Sequence, residues 1–168
     1  MRRVIVETDR LLMVTSKDED ITILYEQIYG DKEVIKYTTG RVFTLAETEE
    51  FMHKMFTYDG ILGFAPIIEK ASNKIIGHGG ILEFNYYNKA NCYEFGYLLQ
   101  KSSWGLGYAT EIAKAQIEKI KQEFNNPKIF ATAHPQNRAS QKVLQKVGMV
   151  FIESIIKSRG VRDVYVLQ

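Results

Sequence analysis

Tyr93-Glu94-Phe95-Gly96-Tyr97-Leu98-Leu99 and, just beyond it, Trp104-Gly105-Leu106-Gly107-Tyr108-Ala109-Thr110-Glu111 read as a strand, a short loop and the first turns of a helix. Ala109, Ile112, Ala113, Ile117, Ile120 and Phe124 fall on one stripe of that helix, and Asn125-Asn126-Pro127 ends it. Ile129-Phe130-Ala131-Thr132-Ala133 follows as a short strand. Strand, helix and strand in that order predict a parallel crossover. The helix start leaves backbone N–H groups without intrahelical partners, and Gly105 and Gly107 let a ligand approach them closely. The junction is therefore a candidate anion site.

Working outward, Gly63 to Glu69 and Lys74 to Phe84 read as strands around a turn at Ala71-Ser72-Asn73. With Cys92 to Leu99 they predict an antiparallel meander, joined through the polar segment Asn85 to Asn91. Val4-Ile5-Val6 and Leu11 to Val14 add short strand segments. Ile21, Leu24, Tyr25 and Ile28 have helical spacing within Asp18 to Tyr29. Thr44-Leu45-Ala46-Glu47 matches a capping box, opening a helix with Phe51, Met52, Met55 and Phe56 on one side. Arg138 to Val147 is a short helix closed by Gly148, and Val150 to Ile156 and Val161 to Leu167 form a hairpin around Ser158-Arg159-Gly160. The fold class is α/β (an α+β mixed sheet with helices), and residues 1–168 form one domain.

The bulk numbers exclude several classes. A chain of 168 residues, 45% hydrophobic and 25% charged, suits one domain with a full core. A net charge of +2 does not imply nucleic-acid binding. Cys92 is alone, so no internal disulfide forms, which fits a reducing compartment. No apolar run approaches the ~18 residues of a membrane span, and Glu7 stands too early for a secretory apolar segment. A cytoplasmic protein with no membrane partner is expected.

Known nucleotide motifs fit poorly. There is no Gly-x-x-x-x-Gly-Lys run, and Gly-x-Gly-x-x-Gly is met by Gly105 and Gly107 but then by Thr110. A Gly-x-Gly pair alone also serves as an ordinary turn. His53, His78 and His134 have no metal-ligand spacing, so no metal is expected.

The ordered set of motifs is more specific. Thr8-Asp9-Arg10-Leu11-Leu12, Ile75-Ile76-Gly77-His78-Gly79-Gly80, Gly96-Tyr97-Leu98, Trp104 to Glu111, Asn137-Arg138-Ala139-Ser140 and Lys146-Val147-Gly148-Met149 run through nearly the whole chain. Together they resemble the GCN5-related N-acetyltransferase superfamily, in particular its branch that acetylates ribosomal-protein N-termini. Two positions depart from the family pattern: Ser102 replaces a frequent Gln or Arg, and Leu98 a frequent aromatic.

The resemblance implies a mostly antiparallel twisted sheet with one strand pair splayed apart, the strand ending at Leu99 being bulged. It implies acetyl-CoA as cosubstrate. The pyrophosphate would meet Trp104, Gly105, Leu106, Gly107, Tyr108, Ala109 and Thr110, and the pantetheine arm Tyr97, Leu98, Leu99 and Asn137. Asn137 can equally cap the following helix. The reaction would be attack of a primary amine, from a protein N-terminus or a small molecule, on the thioester. Glu94, with Glu83 as a weaker alternative, would take the amine proton. A backbone N–H near Leu98 or Leu99 would face the oxyanion. Ser140 would serve the leaving thiolate, with Tyr86, Tyr87 and Tyr97 as phenolic alternatives. Lys142 and Lys146 could reach the 3′-phosphate, and His134 lies near the groove. Asp18 to Thr57 would build the acceptor side. Phe84 to Tyr87 is a candidate homodimer contact or a covered core edge. The competing reading is a non-catalytic CoA-binding regulatory module.

Overall fold

The computed structural model describes residues 1–168. Eight strands form one sheet: β1 (Val4–Glu7), β2 (Leu11–Val14), β3 (Gly63–Glu69), β4 (Lys74–Glu83), β5 (Cys92–Leu99), β6 (Lys128–Ala133), β7 (Met149–Lys157) and β8 (Gly160–Leu167). Their order is β1-β2-β3-β4-β5-β6-β8-β7, and only β5 and β6 run parallel. The connection between those two is α3 (Tyr108–Glu123), the crossover read from the sequence. The final hairpin folds back so that β8, not β7, lies against β6.

Two apolar layers cover the sheet. α3 and α4 (Arg138–Lys146) pack on one face through Ile112, Ala113, Ile117, Ile120 and Leu144, against Phe95, Leu99, Ile129 and Ala131. α1 (Asp20–Leu24), the turn that continues it through Tyr29, and α2 (Leu45–Met55) cover the other through Ile21, Leu24, Ile28, Tyr29 and Met52. The capping box of α2 is complete: Glu47 N–H donates to Thr44 Oγ1 at 3.1 Å, and Thr44 N–H to Glu47 Oε2 at 2.8 Å. No helix is long and apolar enough to cross a membrane.

Two features differ from the sequence reading, and a third agrees with one of its two alternatives. The helix expected over Asp18 to Tyr29 stops being α after Leu24 and continues as a π turn over Tyr25–Tyr29, with Gly30 N–H donating to Tyr25 O at 2.7 Å. The wider turn carries Tyr29 into the aromatic layer beneath the sheet, where it stacks on Phe43 and His78.

The bulge is also elsewhere. The β4–β5 register is unbroken from Gly77↔Leu99 to Glu83↔Tyr93, whereas the β3–β4 register shifts between Ile67 and Ile68. The irregularity thus sits in β4 at Ile76, and strict alternation holds along β5. Finally, Phe84 and Tyr86 stack on each other and on Phe130, and the Tyr86 and Tyr87 hydroxyls donate to Glu153 at 2.6 and 2.9 Å. That aromatic segment covers the core edge, and its two phenols face away from the β5–β6 gap.

Candidate active site

β5 and β6 pair only from Cys92↔Lys128 to Glu94↔Phe130. Beyond that point β6 continues its pairing with β8, from Phe130↔Val166 to Ala133↔Asp163, while β5 stays with β4. The strands therefore part, and β5 beyond Glu94 has no strand partner on that side. Gln100 N–H donates to Ile76 O at 2.8 Å. By alternation, Tyr97 and Leu99 turn their N–H and C=O groups away from β4 and into the gap, and Leu98 turns its own toward β4. Leu99 is thus the better placed of the two expected oxyanion donors.

The gap opens into a cavity of about 310 Å³ that passes between the two faces of the sheet. On the α3–α4 side it is lined by Tyr97, Asn137 and Ser140, and on the α1–α2 side by Tyr29, Phe51, His78 and Glu94. Both α3 and α4 begin at this end of the parallel pair, so two helix N-termini flank the opening.

The loop before α3 has the form an anion needs. Gly105 and Gly107 adopt φ of +74° and +81°, a region that favours glycine. The N–H groups of Gly105, Leu106, Gly107, Tyr108, Ala109 and Thr110 take no acceptor within the chain, while those of Ser103, Trp104 and Glu111 do. Trp104 ties the loop to β5, its indole N–H donating to Leu99 O at 2.8 Å. Arg10 ties it to the β1–β2 turn, donating to Leu106 O at 2.9 Å and to Glu111 Oε2 at 2.7 Å, while Thr8 Oγ1 donates to Glu111 Oε1 at 2.6 Å. Arg10 also balances the one carboxylate in the first turn of α3. Beside the loop runs a groove lined by Lys114 and Lys146 together with the carboxylates of Asp9, Glu111 and Glu118, Glu111 being paired with Arg10. Lys146 is the lysine foreseen there, and Lys142 does not line the groove.

Asn137 caps α4, its Oδ1 accepting from Ser140 N–H at 3.2 Å, and it also lines the cavity. The Tyr97 oxygen is buried without a hydrogen-bond partner. Burial raises the phenol above its usual range; the neighbouring Ser140 hydroxyl offsets part of this, although the pair is not in hydrogen-bond geometry. Glu94 accepts from Thr132 Oγ1 at 2.6 Å and lies 3.7 Å from Lys157 Nζ. Glu83, at the far end of β4, does not line the cavity. His134 does, with its ring 5.1 Å from that of Tyr37.

His78 and Tyr29 form the floor on the α1–α2 side, with Nε2 and Oη 2.9 Å apart. Burial lowers the imidazole to about 4, so it is neutral at physiological pH. The unfolded chain takes this proton below about 6.5, the fold only near about 4, so stability falls as pH drops through that window, by on the order of 3 kcal/mol. Urea midpoints measured from neutral to mildly acidic pH should show this decline. His78→Gln should flatten the part above the carboxylate range; an unchanged slope would contradict the assignment.

The sequence reading placed Tyr29 in the expected acceptor segment and His78 in a family motif, but it did not pair the two. It also read Lys157, Arg159 and Arg162 only as parts of a hairpin, yet all three line the cavity. No cluster of potential metal ligands is present.

Comparison with known proteins identifies the family and the fold. The family model for the acetyltransferase (GNAT) domain matches residues 10–150. The uncharacterized N-acetyltransferase YnaD of Bacillus subtilis is 33% identical over 144 residues, spanning 86% of this chain and 81% of YnaD. A GNAT-family acetyltransferase structure from Bacillus anthracis superposes with a TM-score of 0.80 at 26% identity, covering 99% of this chain and 96% of that one. RimL, a ribosomal L7/L12 alpha-N-protein acetyltransferase solved with coenzyme A, shares the fold: TM-score 0.76, 13% identity, 98% and 97% coverage.

Proposed function

We propose, from the premise that this chain belongs to the GNAT acetyltransferase family and is one of its N-acetyltransferases, that its cavity joins acetyl-CoA to a primary amine by direct attack. The observation that carries the site assignment is the parting of β5 and β6 beside the unpaired N–H groups of Gly105 to Thr110. The loop cradles the pyrophosphate, with Lys114 and Lys146 beside it for the 3′-phosphate. The free edge of β5 at Tyr97 pairs with the pantetheine amides, and Asn137 adds a side-chain contact. Acetyl-CoA supplies the activated acyl carbon at the centre of the sheet.

The amine then enters from the α1–α2 side. Amino groups have pKa values of about 8 to 10, so a proton must leave before attack. Glu94 takes it, directly or through water. Leu99 N–H stabilises the oxyanion, and Ser140 with Tyr97 delivers a proton to the sulfur as the C–S bond breaks, the donor being restored by the second proton that the nitrogen loses on becoming an amide.

Two measurements test this reading. The purified chain with acetyl-CoA and a broad amine panel should release free thiol, and release no faster than without amine would contradict it. The Glu94 carboxylate is already engaged by Thr132 and Lys157, which limits the lone pairs it can offer the amine. Glu94→Gln should therefore lower kcat about tenfold, below the usual range for a fully committed base, with acetyl-CoA affinity unchanged. An unaltered kcat would assign the proton to water alone.

A further inference from the structure

We propose that the acceptor side of this cavity selects an amine that also carries a carboxylate. The inference rests on the N-acetyltransferase reading of the same cavity and names its substrate class.

The charges lining the cavity are unequal. Lys157, Arg159 and Arg162 supply three cations and Glu94 the only carboxylate. Lys157 is near Glu94, but neither arginine has an acidic partner. Arg162 is 9% exposed. Its guanidinium donates only to backbone carbonyls, to Val161 O at 2.8 Å and Thr38 O at 3.1 Å, which leaves donors of its fork free. Arg159 lies close enough that the two cations disfavour one another. Arg159 also stands 5.8 Å from the centre of the Phe51 ring, another wall of the cavity.

A buried guanidinium without a counter-ion is costly, and a second beside it adds repulsion. An arriving carboxylate removes both costs and matches the fork geometry of arginine. These two arginines stand apart from the groove of Lys114 and Lys146, which serves the opposite end of the cosubstrate. A polycationic amine would meet an excess of like charge. An amine with a carboxylate places the anion on the arginines and its nitrogen toward Glu94. A free amino acid and a peptide beginning with an acidic residue both offer that chemistry.

The test compares matched acceptors by thiol release: L-methionine against L-methioninamide, L-glutamate against its diamide, a C-terminally amidated peptide beginning with two glutamates, and spermidine. The acids should exceed their amides in kcat/KM by about tenfold or more, the scale of one charged hydrogen-bonded contact. The free amino acids and the peptide distinguish the two sources. Arg162→Met and the exposed Arg159→Met should erase the preference by raising KM for the acids. Amides or spermidine equalling the acids, or a preference surviving both substitutions, would overturn the proposal. Calorimetry of L-methionine and L-methioninamide with the CoA-loaded protein separates this failure from failure of turnover. Acid-selective binding lost in the variants supports the site even without catalysis, and equal binding overturns it.

Discussion

Gly77→Ala should destabilise the protein by about 3 kcal/mol or more, at the upper end for a single inserted methyl. A Cβ at this position would lie 2.1 Å from Leu98 O and 2.9 Å from Leu99 Cα. Both are backbone atoms of the neighbouring strand, so no side-chain rotation relieves the contact. β4 and β5 must separate just where β5 forms one wall of the cleft. Gly96 is the control, because its Cβ would meet nothing within 4 Å. Gly96→Ala should leave stability within about 1 kcal/mol, yet raise KM, since Gly96 lines the cavity. Urea unfolding of both variants decides the matter: equal midpoints would mean that the β4–β5 approach tolerates a side chain.

Ser140→Ala and Tyr97→Phe should each lower kcat about thirtyfold, and the double variant little further, because they serve one proton transfer. The Ser140 hydroxyl lies beside a buried phenol with no other partner. Its raised pKa keeps that phenol protonated across the assay range, as a donor to a leaving thiolate must be. Acetyl-CoA affinity, measured separately, should change less than kcat. An unchanged kcat for Ser140→Ala would remove that residue from the mechanism, and independent, multiplying losses would show that the two groups act on different steps.

Much of this site was legible because its signals are local. Gly105 and Gly107 mark the loop, Asn137 marks the start of α4, and the stripe from Ala109 to Phe124 marks α3. Each rests on a backbone preference or a helical period within a few residues. Tyr97 illustrates the limit. Alternation assigns it to a face of β5 but says nothing of whether its oxygen finds a partner. Tyr86 and Tyr87 carry the same phenol, and only Glu153, distant in sequence, separates their role from that of Tyr97. Glu83 and Glu94 are likewise both strand carboxylates, and only the tertiary structure shows that Glu94 lines the cavity and Glu83 does not.

By itself the sequence determined a mixed sheet with one parallel crossover, a glycine loop opening a helix and an ordered set of family motifs, since periodicity and turn chemistry are short-range properties. The tertiary structure decided where the strands separate, that the irregular residue belongs to β4 rather than β5, and that a π turn brings Tyr29 to His78. It also inserted β8 beside β6, which carries Arg159 and Arg162 to the acceptor side. Those outcomes depend on strand order, register and the packing of distant segments, and no local period encodes them.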